Sequence, residues 1–464
     1  MNANPLLFDL DDKLVERPRG GVPNAGIEEG EDSVTGVAGV VLWGPLLDRL
    51  NVVGVADDRG LRPIGPGGYT GGQCYRAVVE LQLAGGDFVS DRSLLADEAT
   101  DRLRGDQALP SVSTLCRFLG GADLGRVTKA AAVNRTMLAR AWAMGAAPTP
   151  GLLTIDVDAT FMHTYGPTKE GSAFHYSHEI GLSPLVGVCG ETGDVLALRA
   201  RGGSANAGRA LGSFLDECVT AIPAVARDRY QLWFRSDSAG FTREVFDAAT
   251  RHNAFFTVTA KQYEFIRAHI EALAVDPATH WQPAIDSPDE VTDTVITMGR
   301  YRDARTVRLI VRRQRTRTGD QLSFDDLDGW RFQGVITNIP AWLVTTPEVE
   351  HHHRLRGGAP EEAIRQLKHD FGLNHAPVAN FFGNWLWWHA AALAYNTARW
   401  LRVLALPASF ATCRGKRLRL TFLNVAARVI STGRRLVLRL PRAYAHLDAF
   451  AAALARIRAL PAFA

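Results

Sequence analysis

The stretch from Leu152 to Thr160 decides the fold, and it reads Leu-Leu-Thr-Ile-Asp-Val-Asp-Ala-Thr. β-Branched and other apolar residues surround its two acids, so the stretch predicts a β-strand. Because alternate residues of a strand share a face, Asp156 and Asp158 point the same way. Carboxylates in mid-strand need compensation, and an oxygen-rich site of this kind suits Mg²⁺ or Mn²⁺. The alternative is a strand whose acidic face points into solvent.

The sequence after this strand predicts an α/β core with a mixed sheet. Strand patterns at residues 152–161, 182–189 and 194–200 form a meander, in which residues 191–194 make a hairpin turn. They are followed by a helix at 205–221, a strand at 230–236, a helix at 242–251 and a strand at 255–259. Residues 306–312 and 332–337 are again strand-like, whereas residues 359–371 have the apolar spacing of a helix.

Two further acids lie where α/β sheets place functional groups. Asp237 follows the predicted strand at its carboxyl end, before a glycine-containing turn, although it is also placed to be an N-cap. Glu361 lies in the first turn of its predicted helix, two turns before Lys368, where compensation of the helix dipole is the alternative. Acids from separate elements that meet at one sheet edge can bind two cations about 4 Å apart and promote phosphodiester chemistry.

Basic residues are concentrated at the carboxyl end of the chain. The last 114 residues hold 17 Lys and Arg against 4 Asp and Glu, whereas the first 350 hold 35 against 45. A basic end on an acidic body suits a polyanion, unless the charges are scattered over a solvated face. The best candidate for contact with a DNA backbone lies between Arg414 and Arg442 and includes Arg414, Lys416, Arg417, Arg419, Arg434 and Arg435.

The N-terminal part predicts small helices after a flexible arm. Residues 1–35 mix Pro, Gly and acids without periodicity. Around residues 110–119, Ser111 or Ser113 is a plausible N-cap, and Leu115, Phe118 and Leu119 form an apolar face. These helices are typical either of a DNA-binding helix-turn-helix or of a plain packing bundle.

Several classes of protein are excluded or disfavoured. No run of about 18 apolar residues occurs, the first residues resemble no secretory leader, and the five cysteines contain no C-x-x-C. We therefore expect a cytoplasmic protein without a membrane span or a zinc site. The triplet at residues 351–353 predicts a loop that contacts phosphate or solvent. Core positions are expected for Trp281, Trp330 and Trp342, with stacking on a flipped base as the alternative, and a packed helix face for Trp385, Trp387, Trp388 and Trp400.

The motifs resemble those of the DDE transposases of bacterial insertion sequences, most closely insertion-sequence family thirteen-eighty, which groups with the hairpin-forming cut-and-paste transposases. The resemblance rests on residues 155–160, 181–185, 190–193, 235–241 and 361–368, together with Tyr395-Asn396. It extends from about Val37 into the last helix, and the order of the motifs is specific. The resemblance implies an RNase H-like catalytic core.

With the composition shifts, the resemblance predicts an order of domains. A flexible arm (1–35) precedes a helical DNA-binding domain (36–148) and the first part of the RNase H-like core (149–265). A β-rich insertion (266–345) then separates the second and third acids. The second part of the core (346–408) and a helical, basic C-terminal region (409–464) complete the chain.

Carried over by position, the resemblance implies Asp158 as the first catalytic acid, with Asp156 as the fallback. Asp237 is the second acid and Glu361 the third, and these carboxylates would hold two Mg²⁺ or Mn²⁺ ions. The family's Tyr/Arg/Glu/Lys signature is altered here, because His353 takes the tyrosine position and Arg356 lies one residue farther from Glu361 than usual. Arg354 is the alternative to Arg356. Phosphate contacts are expected from Lys368, Arg356 and Arg365.

The implied activity is cut-and-paste DNA transposition. A homodimer would bind the terminal inverted repeats of a mobile element, hydrolyse the phosphodiester at its ends and join the freed 3′-hydroxyl to target DNA. Such a protein would work in the bacterial cytoplasm, in association with the nucleoid. The alternatives are a nuclease of the same fold that does not join DNA, and an inactive descendant that only binds DNA.

Overall fold

The computed structural model describes residues 33–61, 68–105, 109–165, 168–175, 178–299, 304–316, 326–433 and 435–464. The predicted arm lies outside these residues except at its end, where Val34–Thr35 form strand β1. This strand pairs with Ala427 and Arg428 near the other end of the chain, so the predicted arm ends in an ordered pairing.

The predicted N-terminal helical region is present. It contains α1 (Val40–Arg49), α2 (Val52–Asp58), α3 (Gly71–Ala84), α4 (Glu98–Arg104), α5 (Val112–Gly120) and α6 (Leu124–Ala141). Helix α5 begins as its sequence predicts, because the side chain of Ser111 accepts a hydrogen bond from the amide of Thr114. Its predicted apolar face, Leu115, Phe118 and Leu119, is buried.

The central sheet follows the predicted alternation of strands and helices. In chain order its part of the sequence forms β2 (Gly151–Ala159), β3 (Met162–His163), β4 (Ala173–Phe174), β5 (Ile180–Leu182), β6 (Leu185–Cys189), β7 (Val195–Arg199), α7 (Leu211–Ala221), α8 (Ala224–Arg227), β8 (Tyr230–Ser236), α9 (Arg243–Arg251) and β9 (Phe255–Thr259). The predicted helix at 205–221 begins only at Leu211. The preceding residues instead wrap around buried Arg201, whose guanidinium donates to the carbonyl oxygens of Asn206, Ala207 and Arg209.

The strand order confirms the predicted fold class. The strands lie in the order β7-β6-β2-β8-β9, with β6 antiparallel to both β7 and β2, and with β8 parallel to both β2 and β9. An antiparallel meander followed by two parallel strands in this order is the arrangement of an RNase H-like sheet. The carboxyl ends of β2 and β8 therefore meet at one edge.

The predicted β-rich segment between the second and third acids continues this sheet instead of forming a separate layer. After α10 (Glu264–Val275) it forms β10 (Gln282–Pro283), β11 (Glu290–Met298), β12 (Arg305–Arg315), β13 (Asp326–Leu327) and β14 (Trp330–Thr337), and β14 pairs with β9. Trp281 and Trp330 enclose the guanidinium of Arg313 at 4.1 and 4.5 Å. Trp342 is 84% exposed, so its predicted core position is wrong.

The rest of the chain joins the helical region to the sheet. It forms α11 (Thr346–Arg354), α12 (Ala359–Asp370), α13 (Phe381–Leu404), α14 (Gly415–Leu418), β15 (Ala427–Thr432), β16 (Arg435–Arg439) and α15 (Leu447–Ala459). Helix α13 packs against α3, α5, α6 and β7, and Trp387, Trp388 and Trp400 are fully buried, which confirms the predicted packed face. None of the helices in the described ranges has the length and apolar character needed to cross a membrane.

Asp194, in the hairpin turn between β6 and β7, joins these parts. It is fully buried and receives hydrogen bonds from Arg399 at 2.5 and 2.7 Å, from Trp142 at 2.8 Å and from Trp400 at 2.9 Å. One carboxylate thus connects the end of the helical region, the sheet and α13. Burial of a charge is tolerated here because every oxygen is paired.

We predict that Asp194→Ala lowers the free energy of unfolding by about 3–5 kcal/mol, because Arg399 is left buried without an anion. Urea titration measures the change. The matched control is Asp216→Ala, which removes a half-exposed carboxylate paired with Arg251 and should cost less than about 1 kcal/mol. Equal losses in the two variants would contradict the role assigned to Asp194.

Candidate active site

Asp156 and Asp158 share a face of β2, as predicted, but their environments differ. Asp156 is 3% exposed, and Arg235 on the neighbouring strand β8 donates to its two oxygens at 2.6 and 2.8 Å. The pairing register sets these residues directly opposite each other. Arg235 also donates to the backbone carbonyl of His352. Asp156 is therefore engaged in a buried ion pair, which leaves Asp158 as the candidate metal ligand of this strand and corrects the fallback choice.

Asp158 lies near the carboxyl end of β2, at the wall of a cavity. Its Oδ1 accepts a hydrogen bond from the amide of Ala159 at 2.8 Å, and the guanidinium of Arg356 approaches Oδ2 to 3.8 Å. Burial, together with the negative charges of Asp237 and Glu361, raises the pKa of Asp158 to about 6, against the opposing effects of Arg356 and of the hydrogen bond from Ala159. The charges of Asp237 and Glu361 therefore both affect the pKa of Asp158, the first predicted acid.

Asp237 directly follows β8, as the sequence predicts. Its Oδ1 accepts a hydrogen bond from the amide of Ala239 at 2.9 Å and so caps the short turn Ser238–Gly240. That turn is tight at Gly240, where an added Cβ would come within 2.7 Å of Ser236. Capping fixes the carboxylate at the sheet edge, so the capping and functional interpretations of this residue are compatible.

Glu361 lies in the first turn of α12, after a 3₁₀ turn formed by Leu355–Gly357. Its Oε1 is 3.8 Å from the position that a Cβ would occupy at Gly357. The same turn carries Arg356 to Asp158. The charge of Glu361 therefore acts on Asp158, whose pKa it helps to raise. No group of three or more His, Cys, Asp or Glu side chains within the described ranges has the arrangement of a metal site.

Two cavities flank Asp237 and share Ser238 and Lys261. The first, of about 590 Å³, is named the aromatic cavity, and residues that line it include Asp158, Phe161, Phe174, His175 and the loop from Gly203 to Ala207. The second, of about 580 Å³, is named the arginine cavity, and residues that line it include Thr259, Arg312, Glu350, Arg354 and Arg356. Asp237 thus stands between a cavity with aromatic walls and one with cationic walls, whereas Asp158 lines the aromatic cavity alone.

Lys261 is a functional candidate that the sequence analysis missed. It lies two residues beyond the end of β9, in the wall of both cavities, and makes no ion pair with any described residue. Arg312 and Arg354, by contrast, are both paired with Glu350. The feature that could have identified Lys261 as a candidate was its position after β9, because β9 runs parallel to β8 and ends at the same edge as Asp237.

The histidine triplet lies in helix α11, so its predicted loop conformation is wrong. His352 and His353 face the sheet, where their Nε2 atoms lie 3.1 Å from the hydroxyl of Thr154 and 3.0 Å from that of Thr259. Burial lowers the pKa of both to about 3, helped by the positive charges of Arg235 and Arg356 respectively. These residues support the turn that carries Arg356. They face the sheet, so the predicted contact with phosphate or solvent is wrong for them.

The basic residues predicted on α12 remain close to the acids. Lys368 is half-buried and donates to the carbonyl oxygen of Phe161 at 2.8 Å, in the wall of the aromatic cavity. Arg365 is exposed and pairs with Glu362 at 2.5 Å. Arg414 reaches the same carboxylate at 3.0 Å.

The predicted C-terminal basic surface divides into exposed and buried residues. Lys416, Arg417 and Arg435 are exposed, and Arg434 lies outside the described residues. Arg419 is buried and donates to the carbonyl oxygens of Leu83 at 2.8 Å, Gln82 at 2.9 Å and Asp370. It therefore satisfies the carboxyl end of α3, and its predicted DNA contact is wrong.

Comparisons with known proteins gave one family model and a similar solved structure. Residues 77–462 match the family model described as Transposase DDE domain group 1. Among solved structures, the chain is similar to a piggyBac transposase in a synaptic complex with hairpin DNA, determined by cryo-EM, with 13% sequence identity and a TM-score of 0.38. That alignment covers 77% of this chain and 73% of the other. No curated protein matches the chain in sequence.

We predict opposite stability effects for two aspartates on one strand face. In metal-free protein at pH 7, Asp158→Asn should raise the free energy of unfolding by on the order of 1 kcal/mol, because a partly buried negative charge and its repulsion from Asp237 disappear. Asp156→Asn should lower it by about 3–5 kcal/mol, because Arg235 loses its buried counter-charge. Urea titration of both variants measures the difference.

The pH dependence supplies the control. The folded pKa of Asp158 lies above the unfolded value, so the native state binds the proton more tightly and the ionised carboxylate destabilises the fold above about pH 6. The gain from Asp158→Asn should therefore vanish below about pH 4, where the carboxyl is protonated in both states. Destabilisation by Asp158→Asn at pH 7 would contradict the proximity of the acids.

Proposed function

The chain belongs to the DDE transposases of domain group 1, and we propose that it is a DNA transposase whose catalytic acids are Asp158, Asp237 and Glu361. One observation carries the proposal. Asp158 lies 79 residues before Asp237, and Asp237 lies 124 residues before Glu361, yet the charges of both raise the pKa of Asp158. The effect of two remote carboxylates on the pKa of a third supports a site for cation-dependent chemistry.

DDE transposases generally use divalent metal ions. We propose that Asp158, Asp237 and Glu361 hold two Mg²⁺ or Mn²⁺ ions. The donors fit, because these hard cations prefer carboxylate oxygens and would relieve the repulsion that raises the pKa of Asp158. When bound, such ions supply Lewis-acid activation of the attacking oxygen and stabilise charge on the phosphodiester. Asp156 is left out of this set, because Arg235 occupies its oxygens.

Cationic side chains around the acids are placed to hold the substrate phosphates. Arg356 lies beside Asp158, and Lys261 stands next to Asp237 at the junction of the two cavities. The ammonium of Lys368 uses one donor on Phe161 and keeps others for a ligand. We propose that these three neutralise the backbone at the scissile bond.

We further propose how the protein engages its substrate. The N-terminal helices read the terminal inverted repeats, and the exposed residues Lys416, Arg417 and Arg435 contact the DNA backbone. Two copies of the chain bring the element ends together and transfer the cut ends to a target. From the resemblance to insertion-sequence family thirteen-eighty, we propose that the substrate is a bacterial mobile element and that the protein acts on the nucleoid.

The proposal is tested with two neighbouring glutamates. A donor plasmid that carries the coding region with its native flanking DNA is introduced into a bacterial host, and excision and reinsertion are measured by sequencing. Glu361→Gln should reduce both by at least about 100-fold, because a catalytic acid is lost. The matched control Glu362→Gln removes a carboxylate that pairs with Arg365 and Arg414 and should retain activity.

Each result decides between functions. Excision and reinsertion that depend on Glu361 support the transposase. Excision without reinsertion by the unaltered chain identifies a nuclease that does not join DNA. Binding of the element ends without cleavage identifies an inactive descendant. Full activity of Glu361→Gln removes that residue from the site.

A further inference from the structure

A third cavity lies away from the acids, where the helical region meets the central sheet. It has a volume of about 180 Å³ and is bordered by residues of α6, α7, β7 and α13, and we name it the α6 cavity. An apolar cavity of about 150 Å³ is large enough to hold a molecule of benzene. The α6 cavity therefore has room for a small organic ligand.

Most of the wall of the α6 cavity is apolar. Val127 of α6, Leu196 and Leu198 of β7 and Ala392 of α13 border it, together with the indole of Trp385. The indole is held in place, because its Nε1 donates to the carbonyl oxygen of Leu198 at 3.1 Å. Such walls suit the apolar body of a ligand, and a few polar groups would then fix its orientation.

Three polar side chains of this wall are already engaged. The hydroxyl of Thr128 donates to a backbone carbonyl of its own helix, and the amide of Asn134 donates to the carbonyl oxygen of His389 at 2.8 Å. Glu217, whose side chain is 45% exposed, pairs with Arg199 at 2.7 Å. These groups are therefore not the ones that lack a partner.

The side chains of His389 and Arg135 border the same cavity and do lack partners. The Nε2 atom of His389 is buried and forms no hydrogen bond with any described residue, and the partly buried guanidinium of Arg135 donates to none of them. Burial lowers the pKa of His389 to about 3, and the positive charge of Arg135 contributes. The imidazole is thus neutral at pH 7 and lies within electrostatic reach of the guanidinium.

The charge at this wall favours an anion. Burial and the positive charge of Arg59 lower the pKa of Arg135, whereas the negative charge of Glu217 raises it. Glu217 is shared with Arg199, so it compensates Arg135 only in part. A cation that is partly removed from water is unfavourable without a counter-charge, and a carboxylate in the cavity would supply one.

We propose that the α6 cavity binds a small monocarboxylate whose apolar body is about the size of a benzene ring. Its carboxylate would accept hydrogen bonds from Arg135 and from Nε2 of His389, whose neutral ring can carry its proton on that atom. Its apolar body would lie against Trp385 and Leu198. The occupant would contact both the helical region and the sheet. This inference does not depend on the proposed function.

The test uses the full-length chain with benzoate as the probe. Isothermal titration calorimetry at pH 7 should detect binding with a Kd on the order of 1 mM or lower. Benzamide has the same shape without the charge, and acetate has the charge without the ring. Each should bind at least about tenfold more weakly than benzoate.

Substitutions locate the bound probe. Arg135→Gln should weaken benzoate binding by about tenfold or more, because a charged hydrogen bond is lost. His389→Phe keeps a ring but removes the nitrogen, and should weaken binding by about threefold or more. The matched control is Arg126→Gln, which removes an arginine of the same helix that does not border the cavity and should leave the affinity unchanged. Circular dichroism melting confirms that the variants fold.

Absence of benzoate binding by the unaltered chain overturns the inference. Equal affinity for benzoate and benzamide also overturns it, because the charge of the ligand then plays no part. Unchanged affinity in both Arg135→Gln and His389→Phe shows that benzoate binds elsewhere and has the same consequence. All of these results leave the proposed function intact, since excision and reinsertion test that function separately.

Discussion

A partly buried carboxylate beside two other acids is the constraint on which this sheet edge depends. Burial of Asp158, with the added negative charges of Asp237 and Glu361, raises its pKa to about 6. Such an arrangement is unfavourable for folding and persists only when the surrounding structure fixes it. The other contacts at this sheet edge hold these charges in place.

The support comes from buried pairs directly behind the acids. Asp156 and Arg235 join β2 to β8. Asp158 and Asp237 lie at the carboxyl ends of these two strands. Arg235 also donates to the backbone carbonyl of His352 in α11. Helix α11 leads into the turn that contains Arg356, and α12, which contains Glu361, follows that turn. One guanidinium thus connects the three chain segments that carry the acids. Removal of either partner would leave the other charge buried and unpaired, so this pair fixes the positions of the segments that carry the acids.

Local pattern was sufficient to predict most of the core. The strand from Tyr230 to Ser236 and the strand from Phe255 to Thr259 have the bounds expected from their apolar runs, because turn residues limit both. Asp237 and Glu361 were predicted as candidates because each lies at one end of an element, whereas the choice of Asp158 came from the resemblance. The first of them was ambiguous, because alternation places Asp156 and Asp158 on one face and says nothing about which one meets an arginine.

Contacts between segments that are remote in the sequence could not be predicted from the sequence. Arg419 stands in a run that reads as uniformly basic, and only the fold reveals carbonyl groups more than 330 residues away that bury it. The histidines of α11 looked like a polar loop because the partners Thr154 and Thr259 come from two distant strands. Lys261 was overlooked for the same reason, since its importance depends on which strands are parallel neighbours.

The most direct test of the central claim maps the ion site on the polypeptide itself. Fe²⁺ replaces Mg²⁺ in the full-length protein, and ascorbate with peroxide generates hydroxyl radicals that cut the backbone close to the bound metal. Mass spectrometry should find breaks near residues 158, 237 and 361 together, all suppressed by excess Mg²⁺. Breaks confined to one or two of these segments, or breaks that Mg²⁺ does not suppress, would contradict a shared site.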